Sequence, residues 1–89
     1  MEIHFSDKNL LSRLKWACIR GMLELDILLS QYLNEKYHLW SEDDKKSFIK
    51  LISYSDPELF SWLMGSLKPD QPHIKKMVEA IRQHAQSRI

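Results

Sequence analysis

Glycine and proline are scarce in this chain, two and three among 89 residues, and cysteine occurs once. A lone cysteine can form neither an internal disulfide nor a zinc site, so neither kind of staple holds the fold. The chain also lacks any alternating apolar–polar run bounded by hairpin turns, which argues against a sheet protein. No run approaches the roughly 20 apolar residues of a membrane span. There is no apolar signal segment at the start, and Glu2 and Asp7 argue against a mitochondrial transit peptide. A cytoplasmic, reducing compartment is the expected setting. A formal charge of +1 leaves no clustered basic footprint for nucleic acid. Catalytic signatures are missing as well: there is no Gly-rich phosphate loop, paired-cysteine motif or nucleophile elbow. His4, His38, His73 and His84 are scattered without i, i+4 pairing, and each reads as a surface or partly buried polar residue. A binding protein is expected here, with no enzyme activity, no metal site and no catalytic residues.

What remains is helix-forming sequence. Leucine and lysine are plentiful, and 44% of the residues are apolar, enough for one small core. The expectation is an all-α fold, a single domain over residues 1–89 built as a bundle of about five helices. Helix 1 should begin after Ser6 or Asp7 and carry Leu10, Leu14, Ala17 and Cys18, with Cys18 as a small core residue and Arg13 on the solvated side. Helix 2 should run from Met22 to about Asn34. Helix 3 should be capped by Ser41 in a capping box with Asp44, burying Phe48, Leu51 and Ile52. Helix 4 should be capped by Ser55 or Asp56, with Pro57 in its first turn and Gly65 at its end. Its apolar residues (Leu59, Phe60, Trp62, Leu63 and Met64) are too many for one narrow face, and wedging between helices is the preferred reading over an exposed patch. Helix 5 should follow Pro72, with Ile74, Met77, Val78, Ile81 and Ala85 at 3–4-residue spacing, and fray from Gln86 to Ile89.

One stretch breaks the generic pattern: Trp16-Ala17-Cys18-Ile19-Arg20-Gly21-Met22-Leu23-Glu24-Leu25-Asp26. Glycine inside a helix costs about 0.5–1 kcal/mol relative to alanine. Gly21 is therefore expected in a left-handed cap after a helix ending near Ile19 or Arg20, with a new helix starting at once. This would leave Arg20 and Glu24 at an exposed corner around a residue with no side chain. The bland readings stand beside it. Gly21 can be a mere helix stop; Arg20 and Glu24, four apart, could make a surface pair worth about 0.2–0.5 kcal/mol; Glu24 and Asp26 suit a helix first turn whatever they do. Trp16 can be core or contact surface, with core preferred because indoles are normally well buried.

The run Arg20-Gly21-Met22-Leu23-Glu24 resembles the Arg-Gly-x-x-Glu motif of the SdhE family, small assembly factors of succinate dehydrogenase. Leu39 to Leu51, and Asp56-Pro57-Glu58-Leu59-Phe60-Ser61-Trp62-Leu63-Met64, agree with it in order and position, so the resemblance spans about Leu10 to Ile81. Many members carry a second basic residue before the motif arginine, where this chain has Ile19. The resemblance implies a protein that binds the flavoprotein subunit of succinate dehydrogenase, with fumarate reductase as a further partner. It would promote covalent attachment of FAD there without performing the bond-forming step, the FAD being delivered to or attached in the partner. It also implies a partner-binding set of Arg20, Gly21, Met22, Glu24, Asp26 and Trp16. Arg20 would offer a forked donor, and Glu24 would accept from the partner or orient Arg20. Two other roles compete. Some family members have carried an antitoxin label, and helices 3 and 4 are closely spaced, as in a DNA-binding module. For the latter, Phe60, Trp62 and Leu63 are poor groove readers.

Overall fold

Strong helix-start signals sit at Ser41 and Ser55, and the computed structural model, which describes residues 3–87, shows both of them in use. Five α-helices follow in order: α1 Leu10–Ala17, α2 Leu23–Lys36, α3 Glu42–Leu51, α4 Asp56–Met64 and α5 Pro72–Ser87, with a 3₁₀ turn Tyr37–Leu39 after α2. No strand occurs among the described residues. Ser41 and Asp44 form a reciprocal capping box at the start of α3, the Asp44 N–H donating to Ser41 Oγ and the Ser41 N–H to Asp44 Oδ2, both at 3.2 Å. Ser55 and Glu58 repeat the device at the start of α4, and Pro57 occupies its first turn. Caps of this kind are each worth about 1 kcal/mol. They fix where α3 and α4 begin and therefore the short joint between them.

Helix α5 is the hub, packing against α2, α3 and α4. Ile74, Met77, Val78 and Ile81 line its buried stripe, while Lys75, Lys76, Glu79 and Gln83 face outward. The core they join contains Leu14, Leu25, Leu29, Leu33, Phe48, Leu51, Leu59 and Cys18, all fully buried. Trp40 pins the connector after α2, its ring 4.9 Å from that of Phe48 and 5.6 Å from that of Tyr37. The bundle measures 35 × 27 × 25 Å. No helix of the described residues is long and apolar enough to cross a membrane.

Several boundaries differ from the sequence reading. Helix α1 starts at Leu10, not just after Asp7, because the Asp7 carboxylate accepts the Asn9 N–H at 2.8 Å in a turn preceding the helix. Asp7 also pairs with Arg13 at 2.7 Å, so Arg13 is tied down on that side of α1. At its other end α1 stops at Ala17, before the expected Ile19. The Ile19 N–H donates to the Trp16 carbonyl in a tightened last turn, and the Arg20 N–H leaves the helix altogether. Helix α2 runs two residues past Asn34, since nothing there breaks it before the 3₁₀ turn. In α4 the expected wedge is partial: Leu59 and Leu63 are buried and Trp62 is half-buried, but Phe60 and Met64 reach solvent. Helix α5 is helical through Ser87, including Gln86; the remaining expected fraying residues, Arg88 and Ile89, lie outside the described residues.

Candidate interaction site at the α1–α2 corner

The five residues between α1 and α2 must reverse the chain within one turn's length, and glycine makes this possible. Gly21 adopts φ +83°, in the left-handed region that L side chains avoid at a cost of about 1–2 kcal/mol. The notch it leaves is open: a β-carbon built there would meet nothing within 4 Å. Met22 then turns extended (φ −115°, ψ 108°) as the N-cap of α2, half-buried against the core.

Arg20 is organised inward. Its backbone N–H donates to Asp26 Oδ1 at 2.7 Å, so the first-turn carboxylate of α2 closes the bend on itself. Its guanidinium points away from the notch. Nε donates to Asp56 Oδ1, Nη1 to the Ile52 carbonyl at 2.9 Å with a longer contact to the Ala17 carbonyl at 3.4 Å, and Nη2 to the Tyr54 carbonyl at 2.7 Å. Ile52 is the C-cap of α3 and Asp56 opens α4. One guanidinium thus satisfies carbonyls left over at the α3 C-terminus, the negative end of that helix, and pairs with a carboxylate at the next helix start. Only 16% of the Arg20 side chain is exposed. This corrects the expectation that Glu24 orients Arg20. The helix does not run through, and the two side chains make no pair.

Outward, the corner presents a different chemistry. Glu24, in the first turn of α2, is exposed, and its side chain makes no hydrogen bond or ion pair among the described residues. On the same stretch, Trp16 at the end of α1 is 74% exposed, Ile19 in the bend 62%, and Leu23 and Ile27 of α2 69% and 44%. The core reading of Trp16 is overturned. Leu10, Leu14 and Cys18 take the buried side of α1, and Trp16, two residues from both Leu14 and Cys18, falls on the opposite side. Trp16 and Ala17 instead edge an open groove of about 550 Å³, whose floor includes Ile49 and Ile52 of α3. Leu23 and Ile27 were missed by sequence reading, although their i, i+4 spacing outside the Leu25–Leu29 stripe was the available signal. Asp56 was missed as well.

Beneath the corner lies Cys18, fully buried. Desolvation pushes its thiol up to about 12, against a smaller lowering by the Arg20 charge and with a further rise from Asp26. A thiol held protonated this firmly is a packing group, not a nucleophile. No group of three or more His, Cys, Asp or Glu among the described residues could hold a metal ion. The corner carries a side-chain-free notch, one exposed carboxylate and several exposed apolar side chains.

Residues 12–85 match the family Sdh5, described as "Flavinator of succinate dehydrogenase". The chain belongs to the Sdh5 family. Among curated proteins it is similar to the FAD assembly factor SdhE of Shewanella oneidensis, 43% identical over 75 residues that cover 84% of this chain and 92% of that one. It is 42% identical to the FAD assembly factor SdhE of a Serratia species over 85% of this chain and 86% of that relative. Its fold matches the solution structure of a UPF0350 protein with a TM-score of 0.73 and 36% identity, over 86% of this chain and 82% of that chain. The Sdh5 match takes in all five helices in whole or in part, and the entire corner from Trp16 to Asp26.

Proposed function

We propose that this protein acts as an FAD assembly factor, docking its α1–α2 corner on the flavoprotein subunit of succinate dehydrogenase before the complex assembles and promoting covalent attachment of FAD to a histidine of that subunit. The cytoplasm is the proposed setting. The fumarate reductase flavoprotein is a proposed second client. The observation that carries the reading is the open Gly21 notch in a bend whose flanking residues Trp16, Ile19, Leu23 and Glu24 are all exposed. A partner backbone can approach where there is no β-carbon, Glu24 can accept from a partner donor, and Trp16 supplies the large apolar anchor typical of binding hot spots. Met22 adds adaptable contact, while Arg20 and Asp26 hold the bend in shape.

The assigned action is a population shift. An assembly factor accelerates flavinylation when it binds the client better in the conformation that sets FAD against its acceptor histidine. Moving such an equilibrium from 1:99 to 99:1 takes about 10⁴-fold preference between the two conformers. No bond is made or broken by this chain in that scheme. The test is covalent flavin on the purified client subunit incubated with FAD, read by in-gel flavin fluorescence with and without this protein. Gly21→Arg and Glu24→Ala should each remove the stimulation while leaving the helical spectrum intact. Full stimulation by either variant would overturn the site assignment.

A further inference from the structure

The motif arginine spends its hydrogen bonds inside the molecule, and this raises the question of what keeps the corner in its open form. The Arg20 side chain reaches across to a joint 32 to 36 residues away in sequence. There it meets two kinds of acceptor. The carbonyls of Ile52 and Tyr54 come from the end of α3 and the linker, and any chain that ends a helix there would present them. The carboxylate of Asp56 is different, because it is a side chain and the only charged acceptor in the set. Of the five N–H donors of a guanidinium, four are accounted for by Asp56, Ile52, Tyr54 and Ala17. With Nε on Asp56 and both terminal nitrogens on carbonyls, the plane of the group is fixed. The preceding Cys18 is fully buried and the Arg20 N–H is held by Asp26. Little freedom remains for the bend at Gly21.

We infer that Asp56 is a positioning residue for the docking corner: by anchoring the Arg20 guanidinium at the α3–α4 joint, it holds the Gly21 bend in the open shape that the partner meets. The inference rests on the proposed docking role of that corner. Asp56 itself has another visible place in the fold, at the first residue of α4, but the cap of that helix is supplied by Ser55 and Glu58. The carboxylate of Asp56 is thus available to Arg20, and the two duties can be separated by mutation.

The experiment compares Asp56→Ala, Asp56→Asn, Arg20→Ala, the Arg20→Ala/Asp56→Ala double variant and Ser55→Ala in the full chain. Two quantities are read: affinity for the purified flavoprotein subunit, and the NMR resonances of the Arg20 Nε–H and the Gly21 amide in the free protein. Asp56→Ala should weaken binding at least tenfold and move both resonances. Asp56→Asn, which keeps an oxygen acceptor, should recover part of each. The double variant should bind no worse than Arg20→Ala alone, because the two residues act as one unit. Ser55→Ala removes the α4 cap without touching Arg20, so it should lower thermal stability while leaving affinity within about twofold and the Gly21 amide in place. The inference is overturned if Asp56→Ala keeps wild-type affinity with unmoved resonances. It is equally overturned if losses in the double variant multiply, or if Ser55→Ala weakens binding as much as Asp56→Ala. If Asp56→Ala fails to fold, Asp56→Asn carries the same comparison. Should the unmutated protein show no affinity for the subunit, the docking role itself falls. The positioning of the bend is then decided by the two resonances alone.

Discussion

Gly21 and Gly65 stand at matching joints. Each follows a helix, and each holds the left-handed conformation, at φ +83° and +86°. Each also has an arginine close by. At Gly65 the guanidinium of Arg82 lies over the glycine, and an added β-carbon would sit 2.7 Å from its Nη2. At Gly21 the neighbouring arginine turns inward to the α3–α4 joint, and an added β-carbon would touch nothing. The backbone demands glycine at both places for one reason, so the residue type by itself does not distinguish a helix stop from a docking notch. The surroundings do. A covered glycine completes packing, whereas an open one leaves room for another molecule.

The sharpest way to break this contrast is to fill both notches. Gly21→Arg should abolish partner binding at a folding cost of about 1–2 kcal/mol from backbone strain, measurable as a modest fall in the unfolding midpoint. Trp16→Ala should come next, weakening the client complex by about 30-fold, or roughly 2 kcal/mol, as truncation of a central aromatic anchor does. Thermal stability should stay within about 0.5 kcal/mol, because this indole touches solvent. Gly65→Ala should do the reverse. Stability should drop by about 1–2 kcal/mol as the strained backbone and the displaced Arg82 side chain add up, while client affinity stays within twofold. A loss of affinity here would erase the distinction between the two joints.

The smallest effect concerns what lies under each turn. Cys18 is buried beneath the Gly21 bend with its thiol raised from 9.0 to about 12. The folded chain therefore keeps this proton longer than the unfolded chain does. Stability from the neutral thiol is complete below pH 9 and is lost as pH rises from 9.0 toward 12. Unfolding midpoints followed over that range should fall. The slope should flatten in Cys18→Ala, leaving the contribution of Tyr32, whose phenol is also raised, chiefly by burial and secondarily by Asp44. An unchanged slope in Cys18→Ala would show that the thiol ionises freely in the folded protein.

Local grammar made most of the fold legible. Ser41 with Asp44, Ser55 with Pro57, and the spacing of Ile74, Met77, Val78 and Ile81 announce α3, α4 and α5 because caps and stripes act over three or four residues. Gly21 marked the bend for the same reason, whereas it was the resemblance of residues 20–24 to a family motif that marked it as a site. What could not be read was the inward role of Arg20, since its partner Asp56 is 36 positions away and no periodicity connects them. Trp16 was misjudged on a different ground. Indoles are buried on average, and its exposure follows only once Leu10, Leu14 and Cys18 have claimed the buried side of a short helix. Ile19 and Leu23 received no burial reading at all, since an apolar residue declares its chemistry in sequence but not which side of the chain it will occupy.

One guanidinium terminates α3, steadies the start of α4 and closes the bend after α1. The rotational freedom of that bend is therefore surrendered when the chain folds and not when a client arrives. In the proposed docking an incoming surface would meet a preformed bend, so contact energy gathered at the notch would not be drained by ordering the loop that makes it.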